Sequence, residues 1–272
     1  MVRAMSPDKT SQPGADDVRD ASGVSFGFET VPEPEKVERV RQVFESVSGR
    51  YDLMNDLMSG GVHRLWKQAM IDWLAPRPGL RLLDVAGGTG DIALRVIARL
   101  GRQEVGEVVV CDLTPEMLEV GRDRAADQGI LPGRAGSPRW ICGNAEALPL
   151  ADGSMEAYTI AFGLRNVTDI DAALAEARRV PKPGGRFLCL EFSQVAVPLI
   201  SELYDLYSFK VLPALGEWVA GDRDAYRYLV ESIRRFPAQD ALVGRIVEAG
   251  FDQVRYRNLS GGIAALHSAW RL

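Results

Sequence analysis

The stretch Leu82-Leu-Asp84-Val-Ala-Gly87-Gly88-Thr89-Gly90-Asp91-Ile92-Ala93 has the makings of a loop that brings backbone against a small ligand. An apolar run ends in an acid, three glycines follow within four residues, and a helix-forming segment begins. Glycine tolerates positive φ and leaves the main chain bare, so a ligand can approach closely. In open parallel sheets such turns, at the carboxyl ends of strands, are where ligands sit. Gly88-x-Gly90-x-x-Ala93 also satisfies the dinucleotide pattern, in which a pyrophosphate rests on the helix N-terminus. Asp84 and Asp91 argue against that ligand, because they put negative charge beside the pyrophosphate. They favour S-adenosylmethionine, which has no phosphate and carries an ammonium and a sulfonium. On this reading Asp84, Gly88 and Gly90 belong to the loop that holds the methyl donor.

Two later positions fit the same ligand. Asp112 ends Val108-Val-Val-Cys-Asp112, where a carboxylate can accept hydrogen bonds from both ribose hydroxyls. Either nucleoside cofactor would need that group, so Asp112 supports a nucleoside without separating the two. Asn144, in Gly143-Asn-Ala-Glu146, can pair with the amino edge of adenine. Alone it reads as a turn residue; its place after the third strand favours binding.

These residues need a sheet to hold them. From Leu80 onward, strands and helices alternate: strand Arg81–Val85, helix Asp91–Leu100, strand Val108–Asp112, then a helix opened by Pro115 at its favoured first position. Arg139–Cys142, Ala157–Phe162 and Phe187–Phe192 read as further strands. Between the last two, Thr168-x-x-Asp171 reads as a capping box, with Ile170, Ala173, Leu174 and Ala177 on the inner helix face. Pro181-Lys-Pro-Gly-Gly185 stops that helix. Such alternation implies an α/β fold, a parallel sheet with helices on both faces. The chain closes with a helix around Ala241–Ala249 and two strands, Gln253–Asn258 and Ile263–Arg271.

Around this core, residues 1–23 read as a disordered tail, rich in Asp, Ser, Gly and Pro. Its acidic residues argue against a mitochondrial transit peptide. Residues 24–79 read as an N-terminal helical cap, with Val37, Val40, Phe44 and Val47 at helical spacing and a second helix carrying Leu65, Trp66, Met70 and Trp73. The segment 198–235 is aromatic and helical and interrupts the alternation as an insertion within the 80–272 domain.

At 272 residues, with 46% apolar and 25% charged content, the chain is long enough to bury its own core. A net charge of −5 argues against a nucleic-acid substrate, which needs clustered Lys and Arg. Three scattered cysteines, Cys111, Cys142 and Cys189, argue against both a disulfide framework and a zinc site, and are read as buried thiols; no metal is expected. No apolar run reaches the ~20 residues of a membrane span, so a soluble or peripheral protein is expected.

With these residues in place, the chain resembles the ubiquinone/menaquinone biosynthesis C-methyltransferase family from about Phe26 to Leu272. The resemblance rests on motifs in order: Phe26-Gly-Phe-Glu-Thr-Val-Pro32, Arg50-Tyr51-Asp52-Leu-Met-Asn55-Asp56, the glycine loop, Phe162-Gly-Leu-Arg165-Asn166-Val167, and Tyr226-Arg-Tyr-Leu-Val-Glu-Ser-Ile233. The loop is generic to methyltransferases, and the other four together are specific. The resemblance implies a class I, Rossmann-like S-adenosylmethionine-dependent methyltransferase fold, seven strands parallel except for the last. It implies methylation of a ring carbon of a polyprenylated benzoquinol or naphthoquinol, and makes Thr89, Asp112, Asn144 and Ala145 cofactor contacts. The chain departs from the family in having Ala161 where serine usually precedes Phe-Gly-Leu-Arg-Asn, which removes a hydroxyl contact, and Pro181 where leucine is usual.

Carbon methylation needs an electron-rich ring carbon in line with the sulfonium methyl, and a quinol becomes one as a hydroxyl loses its proton. Arg165 and Asn166 follow the fourth strand and so reach the rim. A protonated arginine suits a developing phenolate, directly or through a water, and Asn166 suits the other oxygen. Arg165 reads equally as a salt bridge closing the cap over the sheet. Tyr51 is expected to face the substrate; Asp52, Asp56 and His63 are candidate bases that read equally as helix-capping or structural residues. His267 reads as structural. The aromatic insertion is expected to be a channel for the polyprenyl tail, a membrane-touching surface, a cap helix pair or a dimer interface. Expected partners are the quinol, a peripheral contact at the inner membrane face from the cytoplasm, a quinone-biosynthesis complex and a second copy of the chain. The rival activities are methylation at oxygen or nitrogen of another small aromatic, and a non-catalytic cofactor-binding subunit of a quinone-synthesis complex.

Overall fold

The computed structural model describes residues 23–47, 55–56, 59–195 and 223–272. The expected tail, the Tyr51–Asp52 turn and most of the aromatic insertion therefore lie outside the described residues. Seven strands form one sheet: β3 (Arg81–Val85), β4 (Glu107–Asp112), β5 (Arg139–Cys142), β6 (Met155–Ala161), β7 (Pro181–Phe192), β8 (Asp252–Leu259) and β9 (Ala264–Arg271). Their order is β5-β4-β3-β6-β7-β9-β8. β3 pairs in parallel with both β4 and β6, so the order reverses beside it. That reversal opens a crevice at the carboxyl ends of the strands, where α/β sheets bind ligands. β9 alone runs antiparallel, against β7 and β8.

Both faces of the sheet are covered, which is why the central strands are apolar without alternation. Leu82 and Leu83 point to opposite faces and are both fully buried. Each such leucine contributes about 1.5–3 kcal/mol by leaving water. On one side, α2 (His63–Leu74) and α3 (Asp91–Leu100) bring Met70, Ile71, Ile92, Val96 and Ile97 onto Leu82, Val108 and Val110. On the other, α5 (Ile170–Arg179) and α7 (Gln239–Glu248) bring Leu174, Ala177, Leu242 and Ile246 onto Leu83, Val109 and Ile160. α1 (Glu33–Val47), α4 (Pro115–Asp127) and α6 (Arg223–Arg235) complete the described helices.

Four expectations need correction. The cap does not begin as helix: β1 (Val24–Phe26) and β2 (Glu29–Val31) form a hairpin turned at Gly27, whose φ of 57° suits glycine. The cap of α5 is Asp169, not Thr168. Its Oδ1 accepts from the N–H groups of Asp171 and Ala172 at 2.8 and 3.0 Å, whereas Thr168 lies one residue too early to reach that first turn. β7 begins at Pro181 rather than Phe187, since proline is tolerated at a strand's first residue. Cys142 is exposed, because β5 is the edge strand; Cys111 and Cys189 are buried. Among the described residues, no helix is long and apolar enough to cross a membrane.

Candidate active site

The glycine loop leaves the end of β3 and turns into α3. Gly88 (φ 52°) and Gly90 (φ 74°) take left-handed conformations that other residues adopt only at a cost of about 1–2 kcal/mol. A Cβ on Gly88 would also stand 2.9 Å from Met117 Cε. Asp112, at the end of β4, clamps the loop: its Oδ2 accepts from the Gly88 N–H at 2.8 Å and its Oδ1 from the Thr114 N–H at 2.9 Å. Burial pushes this carboxyl above its ordinary range, and the two backbone donors oppose that. Each oxygen keeps a lone pair for a further donor.

Gly88 and Asp112 line a cavity with Asn144, Ala145, Phe162 and Asn166, under a roof of Val37, Val40 and Phe44 from α1. Asn144 is a turn residue and a wall residue at once. Its Oδ1 accepts from the Glu146 N–H at 3.0 Å, which leaves its amide N–H groups as donors.

The two acids that set the choice of cofactor differ. Asp91 is satisfied within the fold, by Lys67 Nζ at 2.8 Å and Arg95 Nε at 2.9 Å. Burial works against its ionisation, but Lys67 and Arg95 outweigh it and hold the carboxyl at about 2. Asp84 is fully buried, and burial pushes it up to about 7. Its Oδ1 accepts from Thr159 Oγ at 2.8 Å, while its Oδ2 has no partner among the described residues. Asp84 lines a small recess with Lys67, Gly87, Thr89 and Ala161. An orphan carboxylate oxygen there fits the ammonium end of S-adenosylmethionine and would repel a pyrophosphate. Thr89 is buried, its hydroxyl 3.0 Å from Arg124 Nη1.

The Phe162–Asn166 turn forms the other wall. Phe162 has a φ of 59°, costly for a bulky residue. Its carbonyl is repaid in contacts: it accepts from Arg165 Nη1 at 2.6 Å and from Asn166 Nδ2 at 3.4 Å. Gly163 must be glycine here, since a Cβ would lie 2.3 Å from that of Ala86 on the cofactor loop. Arg165 is buried, with Nη1 2.9 Å from Glu191 Oε2, and Glu191 Oε1 accepts from the Arg165 main-chain N–H at 3.2 Å. Both side chains are 1% exposed. Burial pushes the Glu191 carboxyl up, and Arg165 opposes it. Arg165 Nε is buried with no partner among the described residues. Asn166 reaches the cavity, with Oδ1 3.3 Å from the Tyr228 hydroxyl.

Gly88, Asp112, Asn144, Ala145 and Asn166 thus share one cavity, Asp84 and Thr89 the adjoining recess, and Arg165 the turn beside them. Tyr51 and Asp52 lie outside the described residues. Asp56 pairs with Arg64 at 2.6 Å, and His63 is buried against Ser59, held at about 4 by burial and Lys67; neither lines the two cavities. His267 is buried in β9 beside the Gln239 carbonyl, away from both. Sequence reasoning missed Glu191, Tyr228 and Lys67. The one available signal was an acid inside the apolar run Phe187-Leu-Cys-Leu-Glu191-Phe192.

Comparison with known proteins shows the family. A relative from Paracoccus denitrificans, described as "Ubiquinone/menaquinone biosynthesis C-methyltransferase UbiE", is 59% identical over 91% of this chain and 96% of its own. A rice protein, "2-methoxy-6-polyprenyl-1,4-benzoquinol methylase, mitochondrial", is 54% identical over 91% and 88%. Among solved structures, a SAM-dependent methyltransferase from Thermotoga maritima matches 86% of this chain and 100% of that one, with a TM-score of 0.59 and 18% identity, a likeness of fold alone. The family model described as "ubiE/COQ5 methyltransferase family" matches residues 33–271. The chain belongs to the ubiE/COQ5 methyltransferase family and is an S-adenosylmethionine-dependent methyltransferase.

Proposed function

We propose that this enzyme methylates a ring carbon of a polyprenylated quinol, a benzoquinol or naphthoquinol of ubiquinone or menaquinone biosynthesis. The observation that carries the reading is the convergence of Gly88, Asp112, Asn144, Ala145 and Asn166 on one cavity, with the Arg165–Glu191 pair behind its wall. The names of its relatives supply the substrate class. S-adenosylmethionine, when bound, supplies an electrophilic methyl group on sulfur.

The chain's own residues then have separate tasks. Asp112 accepts from the ribose hydroxyls with the lone pairs that Gly88 and Thr114 leave open. Asn144 donates to an adenine ring nitrogen through its free amide N–H, and Ala145 packs beneath the base. Asp84 Oδ2 accepts from the ammonium, and Gly88, Thr89 and Gly90 let the loop close on the amino-acid portion. Asn166 holds one quinol oxygen, and Tyr51 is a further proposed substrate residue. Arg165 supports the developing phenolate. Its Nη1 is committed to Phe162 and Glu191, so the donor it offers is the unpartnered Nε–H, through a water where the ring does not reach it. The carbon ortho to that oxygen would take the methyl as its bond to sulfur breaks and the sulfur leaves as a neutral thioether, and the proton on that carbon would pass to solvent as the ring regains aromaticity.

The reading extends to a peripheral contact at the cytoplasmic face of the membrane, which a polyprenyl tail on the substrate supports, with a quinone-biosynthesis complex and a second copy of the chain as proposed partners. The test uses isotopically labelled methyl donor with candidate quinols and mass spectrometry of the product. Label on a ring carbon supports the reading; label found only on oxygen overturns it. Loss of membrane co-sedimentation on removing the aromatics of residues 199–218 would support the peripheral contact, and unchanged sedimentation and turnover would remove it.

A further inference from the structure

A second concave site lies at the opposite edge of the sheet. In β7, Gly185 and Arg186 pair with Arg271 and Trp270 of β9, and the strand ends at Phe192 beside the Phe162–Asn166 turn. Six strand residues separate Arg186 from Phe192, a span of about 20 Å at ~3.3 Å per residue. Trp73 of α2, Arg186 of β7, Arg255 and Arg257 of β8, and Ser268 and Trp270 of β9 line a concave surface there.

The charges in this site are not balanced. Arg257 Cζ stands 4.2 Å from the centroid of the Trp73 ring. Arg186 Cζ lies between two indoles, 5.9 Å from Trp73 and 5.1 Å from Trp270. These contacts fix the guanidinium planes but do not neutralise them. Arg186 is half-buried and donates only to neutral groups, the Leu74 carbonyl at 3.2 Å and Ser268 Oγ at 3.3 Å. Burial and the neighbouring Arg257 both work against its charge. Among the described residues, Arg186, Arg255 and Arg257 have no carboxylate partner, and no acidic side chain lines the site. Several arginines elsewhere are ion-paired, as at Arg39, Arg81, Arg95 and Arg139, and others, such as Arg102 and Arg271, donate to main-chain carbonyls. This concavity gathers three guanidinium groups with no carboxylate in its lining, in a chain of net charge −5.

We propose that this site binds a phosphate group, carried by a small phosphate ester or by a phospholipid headgroup. Guanidinium forks match phosphate oxygens two at a time, and a tetrahedral anion offers acceptors to several forks from different directions. The indole faces are already covered by guanidinium groups, so recognition falls on the anion and not on an aromatic ring. The exposed N–H edges of Arg255 and Arg257 form the entrance, and Arg186 forms the floor.

The experiment titrates inorganic pyrophosphate into the full chain at low ionic strength, with sodium chloride at matched ionic strength as control, and follows indole fluorescence from Trp73 and Trp270. Parallel samples are sedimented with vesicles of phosphatidylcholine, with and without phosphatidylglycerol. The double variant Arg255→Gln/Arg257→Gln keeps the floor and removes the entrance. Its thermal melt and its methyl transfer to a detergent-dispersed quinol should match the parent. A saturable fluorescence change with pyrophosphate, weakened about tenfold or more in the double variant, supports the proposal; one lost charge-assisted hydrogen bond suffices for that factor. Phosphatidylglycerol-dependent sedimentation that the variant loses also supports it and identifies the headgroup as the source. No fluorescence change beyond that of chloride, together with equal sedimentation of parent and variant, overturns it.

Discussion

Glu191→Gln should be the most informative single change near the catalytic turn. The substitution keeps the shape of the side chain and an acceptor for the Arg165 main-chain N–H, but removes the charge that faces the Arg165 guanidinium at 2.9 Å. Both side chains are 1% exposed, so water cannot replace the lost partner. Removing one member of a buried ion pair costs about 3–5 kcal/mol, because the remaining charge stays buried and uncompensated. In a domain of this size 1 kcal/mol moves the melting temperature by about 2–4 °C, so the variant should melt about 6–20 °C lower. The left-handed Phe162 relies on the same arginine for its carbonyl partner, so the turn should loosen and turnover should fall with it. The double variant Arg165→Met/Glu191→Leu separates packing from charge. It should recover most of the lost stability, since an apolar pair of similar volume is often neutral in such a site, yet recover no activity. Circular dichroism melts and methyl-transfer rates on the parent, Arg165→Met, Glu191→Leu and the double variant complete the cycle, with Glu191→Gln measured beside them. A Glu191→Gln variant melting within about 2 °C of the parent would refute the reasoning, as would a double variant no more stable than the weaker single one.

Three further outcomes are expected. Asp84 sits at about 7 in the unliganded chain through burial, so an ammonium at its free Oδ2 should drive off its proton. S-adenosylmethionine affinity should then rise with pH, by up to about tenfold per unit below 7, and level off above. The unliganded fold should show the opposite trend: it holds a proton that the unfolded chain releases near ~3.9, so this contribution to stability falls as pH rises from there through 7. Calorimetry in buffers of different ionisation enthalpy measures the proton release, and a pH-independent affinity, or an Asp84→Asn variant with the parent's pH dependence, would contradict it. Gly163→Ala places a Cβ 2.3 Å from that of Ala86, an overpacking that costs about 1–3 kcal/mol and pushes the turn off the cofactor loop. Cofactor binding should weaken about tenfold, and an unchanged dissociation constant would show that the two loops move independently. Finally, a maleimide should label the folded chain at Cys142 alone, because Cys111 is buried with its thiol pushed up to about 12 and Cys189 is buried; mass spectrometry showing equal labelling of all three would contradict the burial.

The sheet and the glycine loop were legible because their signals are local. An apolar run ending in Asp84 or Asp112 states both the strand and the group at its carboxyl end, and the alternation of elements sets the rest. Pairings between distant segments were not legible. Nothing in the sequence near Asp91 announces Lys67, 24 residues earlier, so the two acids read alike although only Asp84 keeps a free oxygen. The cofactor argument survives on that one acid. The same distance hid Glu191, which lies 26 residues from Arg165 and meets it only because β6 and β7 are neighbours. Cys142 was misjudged because strand propensity does not reveal which strand forms an edge. The hairpin Val24–Val31 was hidden by its brevity: two strands of three residues have too few positions to show a period of two.

That hairpin also explains why the specific motifs of the family lie so far apart in the chain. Phe26 stacks on Tyr228 with ring centroids 4.2 Å apart, and the Tyr228 hydroxyl reaches Asn166 Oδ1 at 3.3 Å. Glu231, on the same helix, accepts from the Phe28 N–H at 3.0 Å, and Arg235 donates to the Gly27 carbonyl at 3.1 Å. Three segments, with Tyr228 62 residues from Asn166 and Glu231 203 residues from Phe28, thus meet behind the side chain proposed to hold the quinol. The Tyr228 hydroxyl donates to Asn166 Oδ1, and with one amide N–H of Asn166 turned to the Phe162 carbonyl, the second is left for a substrate oxygen. The glycine loop alone would serve any methyl acceptor. On the proposed role of Asn166, its orientation by the hairpin and α6 together would link motifs at both ends of the chain to one turn at its centre.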